Sequence, residues 1–251
     1  MRKLYTGAFG LQACLLLAIS GLAQAQDKPK DAYLYVTYFY CDVTQQERAD
    51  QIFDQLDRSF YDAAFADATI TNYGWLAHQT GGKWRRALYT GAPSIQALLD
   101  SQKKIGDQID AKNKKLSDEE GKICNSHDDY IWKTVAGNTV TAARGSAAFS
   151  TYYICDSNRE KQADALVKQV FAPIYDKLIA DGKLKSWGWL EHIVGGEYRR
   201  LATMSGADMK TVLEARASVN QALMDNPLGD TFTDICGSHT DYMWEIKYSK
   251  P

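Results

Sequence analysis

The side chains best suited to chemistry in this chain come in matched pairs. Its four histidines fall as His78 with His192 and His127 with His239. Arg85-Arg86 is matched by Arg199-Arg200, and Cys41 and Cys124 by Cys155 and Cys236. On a strand, adjacent residues face opposite sides, so one arginine of each pair must face inward or toward a sister sheet. The alternation puts Arg86 with Trp84 and Leu88, and Arg200 with Tyr198 and Ala202. A guanidinium held among aromatic rings needs an anion. That anion is either a protein carboxylate, with Asp42, Asp129 and their copies as candidates, or a bound carboxylate or phosphate. Asp128-Asp129 beside His127 offers acid–base chemistry, but its counterpart Thr240-Asp241 lacks the first acid.

No metal site is expected, because the C-x-x-C spacing and a carboxylate-rich histidine cluster are both lacking. Nor is there a Ser-His-Asp order, a phosphate loop or an HExxH helix. No catalytic residue or cofactor is therefore assigned. The candidate ligand-binding set is Arg86, Arg200, His78, His192, His127 and His239. The competing reading is structural, with buried ion pairs for the arginines and loop hydrogen bonds for Ser126-His127 and Ser238-His239.

Arg2 and Lys3 precede an apolar run from Ala8 to Leu22, and Ala23-Gln24-Ala25 supplies the small-x-small cleavage pattern of a secretory signal peptide. Leu11-Gln12-Ala13-Cys14 invites a lipid anchor, but the strongest apolar residues follow the cysteine. The expectation is an extracytoplasmic protein, periplasmic or secreted, beginning near Gln26, with no membrane association after cleavage. A net charge of −2 and the lack of a basic stripe argue against nucleic acid as a partner. An oligomer is not required.

The pairs belong to a long internal repeat. Ile123-Cys124-Asn125-Ser126-His127-Asp128-Asp129-Tyr130-Ile131-Trp132 returns as Ile235-Cys236-Gly237-Ser238-His239-Thr240-Asp241-Tyr242-Met243-Trp244. Gly74-Trp75-Leu76, Gly81-Gly82 and Ala49-Asp50 return as Gly188-Trp189-Leu190, Gly195-Gly196 and Ala163-Asp164. Such a repeat decides architecture before local propensity does. The predicted modules are 26–135 and 147–251, after a leader over 1–25, with an Ala-, Gly- and Thr-rich linker over 136–146.

Each module reads as strand, helix, strand, strand, helix, strand. Strands are predicted at 33–40 and 147–154. Thr44-x-x-Glu47 predicts a capping box, Pro173 a kink in the second copy of that helix, and Gly81-Gly82 and Gly195-Gly196 tight hairpins. Ser94 and Asp208 are predicted N-caps of the second helices. Gly74 and Gly188 suggest bulges or close backbone approach.

The βαββαβ order is that of ferredoxin-like modules, and two in one chain resemble a fused member of the dimeric α/β-barrel superfamily. The expected fold is α+β, with two tandem modules packed about a pseudo-twofold axis. Four cysteines allow three pairings, all compatible with the repeat. A ferredoxin-like sheet joins the end of its first strand to the start of its last, which implies Cys41–Cys124 and Cys155–Cys236. The resemblance permits a monooxygenase or haem-handling enzyme; a purely structural or interaction protein is a third reading. The residues themselves favour a non-catalytic module that binds a small anionic or aromatic ligand.

Overall fold

The computed structural model describes residues 32–251, so the predicted leader lies outside the described residues. Among them, no helix is long and apolar enough to cross a membrane.

Strand alternation sets the architecture. In β1 (Tyr33–Tyr40), Leu34, Val36, Tyr38 and Tyr40 point to one side, while Tyr33, Tyr35 and Phe39 point to the other. The remaining strands are β2 (Asn72–Gly81), β3 (Arg86–Ala92), β4 (Ser126–Gly137), β5 (Ala147–Ile154), β6 (Ser186–Val194), β7 (Arg200–Gly206) and β8 (Ser238–Lys250). They close into one barrel in the order β1-β3-β2-β8-β5-β7-β6-β4. All neighbours are antiparallel. Closure leaves no free sheet edge. It also makes β1 and β5 run the same way, so both start at one end of the barrel and both finish at the other. The finishing end carries both Gly-Gly hairpins and both disulfides, Cys41–Cys124 and Cys155–Cys236. Those are the bridges implied by the ferredoxin-like strand order.

Helices cover the outside. They are α1 (Gln46–Ile52), α2 (Arg58–Ala66), α3 (Ile95–Lys112) and α4 (Lys114–Ile123) in the first half, and α5 (Glu160–Leu166), α6 (Ala172–Ala180), α7 (Met209–Met224) and α8 (Gly229–Cys236) in the second. Ser94 and Asp208 cap α3 and α7 as predicted, accepting from Ala97 N at 3.1 Å and Thr211 N at 2.8 Å. The capping box is different: Thr44 hydrogen-bonds Asp42 Oδ1 through N and Oγ1, and α1 starts only at Gln46. Asp42 competes successfully for the hydroxyl. A π-helical turn, Val167–Phe171, joins α5 to α6 without a break, and Pro173 is the second residue of α6. The first half has the same π turn at Phe53–Asp57 with Ser59 in place of the proline. The π turn therefore belongs to the fold rather than to Pro173. Helices α4 and α8 are additional to the predicted βαββαβ order. They form in the polar segments where the two copies slip register by two residues.

The two helical layers differ at one buried point. In the second half Phe171 and Phe232 pack with ring centroids 4.9 Å apart. The corresponding first-half residues are Asp57, from the π turn, and Glu120, from α4. Asp57 is buried, and its Oδ1 has no hydrogen-bond partner. Burial followed by Glu120 pushes Asp57 up to about 8, and burial pushes Glu120 up to about 7. A carboxylic acid whose pKa is raised on folding binds more protons folded than unfolded, so its contribution to stability declines as pH climbs from about 4 through about 8. His78 and His192, held below 6.5 in the fold, work in the opposite sense. The double variant Asp57→Phe/Glu120→Phe isolates the acids. Its stability relative to the parent should grow between pH 5 and pH 8 by up to about 1.4 kcal/mol per pH unit for each of the two acids that stays protonated in the fold. Melting curves at both pH values check this, and an unchanged difference would contradict it.

Candidate functional site

The arginine pairs sit outside the barrel. Arg86 Nε and Nη2 donate to Asp50 Oδ1 and Oδ2 at 2.6 and 2.9 Å, and Nη1 and Nη2 donate to Gln46 Oε1 and O at 2.8 and 2.9 Å. Arg200 repeats the pattern with Asp164 at 2.8 and 3.0 Å and adds Glu160 at 3.0 Å. Trp75 and Trp189 donate Nε1 to the same aspartates at 2.7 and 2.9 Å. Burial opposes the charge on Arg200, but Asp164 and Glu160 hold its pKa above the ordinary value. The acidic partners are thus Asp50, Asp164 and Glu160 on the first helix of each half, not Asp42 or Asp129. Trp84 does not share a face with Arg86, because β3 begins at Arg86 and the preceding turn directs Trp84 into the barrel.

The histidines all lie at the hairpin end, and they divide into two kinds. His78 Nδ1 stands 2.9 Å from Arg85 Nη1 and Nε2 stands 2.8 Å from Gly81 O. A guanidinium only donates and a carbonyl only accepts, which fits a neutral ring with its proton on Nε2. Burial, then the Arg85 charge, lowers the His78 pKa against the Gly81 hydrogen bond. Burial and Arg199 lower that of His192, whose Nδ1 is 3.0 Å from Arg199 Nη1. His127 and His239 instead face Asp129 and Asp241 on their own strands, at 3.2 and 3.7 Å. His78 lies on β2 opposite Trp244, away from His239, so the two do not form a cross-half pair. Among the described residues no three His, Cys, Asp or Glu side chains gather as a metal site.

The repeated glycines and aromatics form a reciprocal seam. His78 contacts Tyr242 and Trp244 of the other half, and His192 contacts Tyr130 and Trp132, all at ring centroids of 6.0–6.2 Å. The Tyr242 hydroxyl accepts from Lys83 N at 2.9 Å. A Cβ at Gly82 would collide with that hydroxyl, and one at Gly195, where φ is +141°, would collide with the Tyr130 ring. Each Gly-Gly hairpin thus receives a tyrosine from the opposite half.

The barrel interior is filled toward this end and open toward the other. Tyr38 stacks on Trp84 at 4.1 Å, Trp84 on Tyr242 at 4.9 Å, and Tyr152 meets Trp84 edge-on at 5.1 Å. Asp128 Oδ2 ties this plug together, accepting from Tyr40 Oη and Trp84 Nε1, both at 2.7 Å. Toward the strand starts of β1 and β5 a cavity of about 120 Å³ remains. It exists because the second half contributes smaller side chains: Ala148, Ser150 and Thr203 stand where the first half has Leu34, Val36 and Tyr89. The rest of its wall includes Leu76, Leu190, Leu201, Trp132 and Arg144. None of the six ligand-binding candidates named from sequence lines it. Arg144, the only charged residue of the predicted linker, is the available sequence signal.

The fold defines a class: an α+β protein built as a closed eight-stranded barrel under helices, with neighbours of the dimeric α/β-barrel type. A proposed monooxygenase from Lactobacillus acidophilus NCFM superposes with a TM-score of 0.61 at 8% identity, covering 87% of this chain and 95% of its own. One from Fusobacterium nucleatum subsp. nucleatum gives 0.61 at 8% identity, with 89% and 95% covered. A mutant chlorite dismutase from Candidatus Nitrospira defluvii, in complex with cyanide, gives 0.54 at 9% identity, with 86% and 91% covered. At such identities the likeness concerns the fold alone. No protein-family model matches the chain, and no curated protein matches it in sequence.

Proposed function

We propose that this is an exported, non-catalytic binding module. It holds a small anionic or aromatic ligand inside a barrel made by two tandem ferredoxin-like halves related by a pseudo-twofold axis. The observation that carries this reading is the cavity between the halves: concave, walled mainly by apolar and aromatic side chains, with a few polar groups converging on it. Two disulfides and the Ala23-Gln24-Ala25 pattern support the extracytoplasmic placement. An enzyme of the monooxygenase or haem-handling kind remains the second reading, favoured by the fold neighbours alone.

The test is thermal melting of the mature protein against small single-ring and branched organic acids. A ligand present at a hundred times its Kd stabilises by about 2.7 kcal/mol, which raises the Tm by several degrees. A flat response to the whole panel would overturn the reading.

A further inference from the structure

The cavity's polar groups are one-sided. Its lining contains a single charged side chain, Arg144, and no Asp, Glu or His. Arg144 reaches from the segment joining the halves to lie over the Tyr89 ring, 5.7 Å from its centroid. Among the described residues its buried Nε has no hydrogen-bond partner, while the guanidinium lies close enough to the buried Tyr89 hydroxyl to work against the rise in its pKa that burial causes. Trp132, also in the lining, is fully buried; its Nε1 makes no well-formed hydrogen bond among the described residues, its nearest acceptor being the Tyr38 hydroxyl, whose pKa it lowers against burial. The hydroxyls of Ser186 and Ser205, also in the lining, hydrogen-bond each other at 2.6 Å. Arg144 is half-buried and no carboxylate of the described residues pairs with it; donors left unmet at an apolar wall are costly. An acceptor carrying negative charge answers both needs.

Size and shape narrow the class. An apolar cavity of about 150 Å³ takes up one benzene molecule, so the space here suits a single ring or a branched aliphatic group of similar bulk. Leu34, Val36, Ala148, Leu190 and Leu201 supply the walls for that body. The two halves line the cavity unequally, Ala148, Ser150 and Thr203 standing where the first half has Leu34, Val36 and Tyr89. One chain therefore has room for one ligand rather than two symmetric ones.

We infer that the cavity takes one compact monocarboxylate, its apolar body inside the barrel and its carboxylate toward Arg144, with Trp132 Nε1 as an additional donor. This rests on the reading of the barrel as a binding site and names its ligand class. A guanidinium and a carboxylate pair in a directed, charge-assisted way that a neutral amide cannot reproduce. Arg144 is then the residue that distinguishes acids from neutral molecules of the same shape.

Isothermal titration of the mature protein with benzoate and with benzamide tests the inference, using the parent, Arg144→Gln and Trp132→Phe. The parent should bind one benzoate per chain and bind benzamide at least tenfold more weakly. Arg144→Gln should remove that preference while its ligand-free Tm stays near the parent's. Trp132→Phe, which keeps a ring but removes the N–H, should weaken benzoate while preserving the preference for the acid. Equal affinity of the parent for the two ligands, or benzoate binding unaffected by Arg144→Gln, would overturn the carboxylate assignment and leave the binding reading standing. Binding of neither ligand to the parent would overturn both.

Discussion

Arg200→Ala should lower the stability of the protein by about 3–5 kcal/mol, the usual loss when one partner of a buried ion pair is removed. The Arg200 side chain is 1% exposed, and its partners Asp164 and Glu160 are 7% and 15% exposed. Solvent therefore cannot replace the guanidinium. The variant leaves Asp164 with the Trp189 indole and a long, 3.7 Å contact to the exposed Lys161 ammonium, and deprives Glu160 of one of its two arginines. For a chain of this size each kcal/mol corresponds to about 2–4 °C, so the Tm should fall by roughly 10 °C. Arg200→Lys should recover only part of the loss, because an ammonium cannot make the paired contacts of the planar fork. Arg86→Ala should cost less, since Gln46 stands where the second half has Glu160 and only one carboxylate is stranded. Chemical denaturation of the three variants measures the effect. A change under 1 kcal/mol for Arg200→Ala would remove its strand-to-helix anchoring role.

Loss of a disulfide should be comparably severe. The Cys155–Cys236 bridge spans a sequence separation of 81 residues. Closing a loop of that length restricts the unfolded chain by about 4 kcal/mol in the chain-entropy account, with 2–5 kcal/mol the usual range for native bridges. Both cysteines are buried among Phe171, Phe232 and Ile235, so Cys155→Ala/Cys236→Ala also removes sulfur atoms from a packed core. The double variant should melt about 10 °C below the parent, and complete reduction of the parent, which opens both bridges, should lower the Tm further. A parent whose Tm is insensitive to complete reduction would contradict this.

The sequence made the repeat and the helix caps at Ser94 and Asp208 legible, because each depends on residue types at short or repeated spacings; the disulfide pairing followed only from the ferredoxin-like resemblance. It did not show which side of the sheet becomes an interior. Trp84 illustrates the reason. Strict alternation groups it with Arg86, but alternation applies only within a strand, and Trp84 precedes β3 by two residues. The partners of Arg86 and Arg200 escaped for a related reason: Asp50 and Asp164 come within reach only when the first helix of each half packs on its own sheet. The matched Gly-Gly and Tyr-x-Trp segments predicted hairpins and strands, but not that each hairpin receives the other half's tyrosine. That contact depends on closure of two half-sheets into one barrel. The cavity depends on differences between the copies, and a search for matched residues passes over those.

The barrel interior as a binding site is tested most directly by a crystal structure of the mature protein grown with benzoate. The arrangement requires difference density for one planar ring between Ala148, Ser150, Leu190 and Leu201, with its carboxylate toward Arg144 and within reach of Trp132 Nε1. An interior without ring density at a concentration that saturates binding in solution, or a ring bound instead beside Arg86, Arg200 or the hairpin histidines, would contradict it.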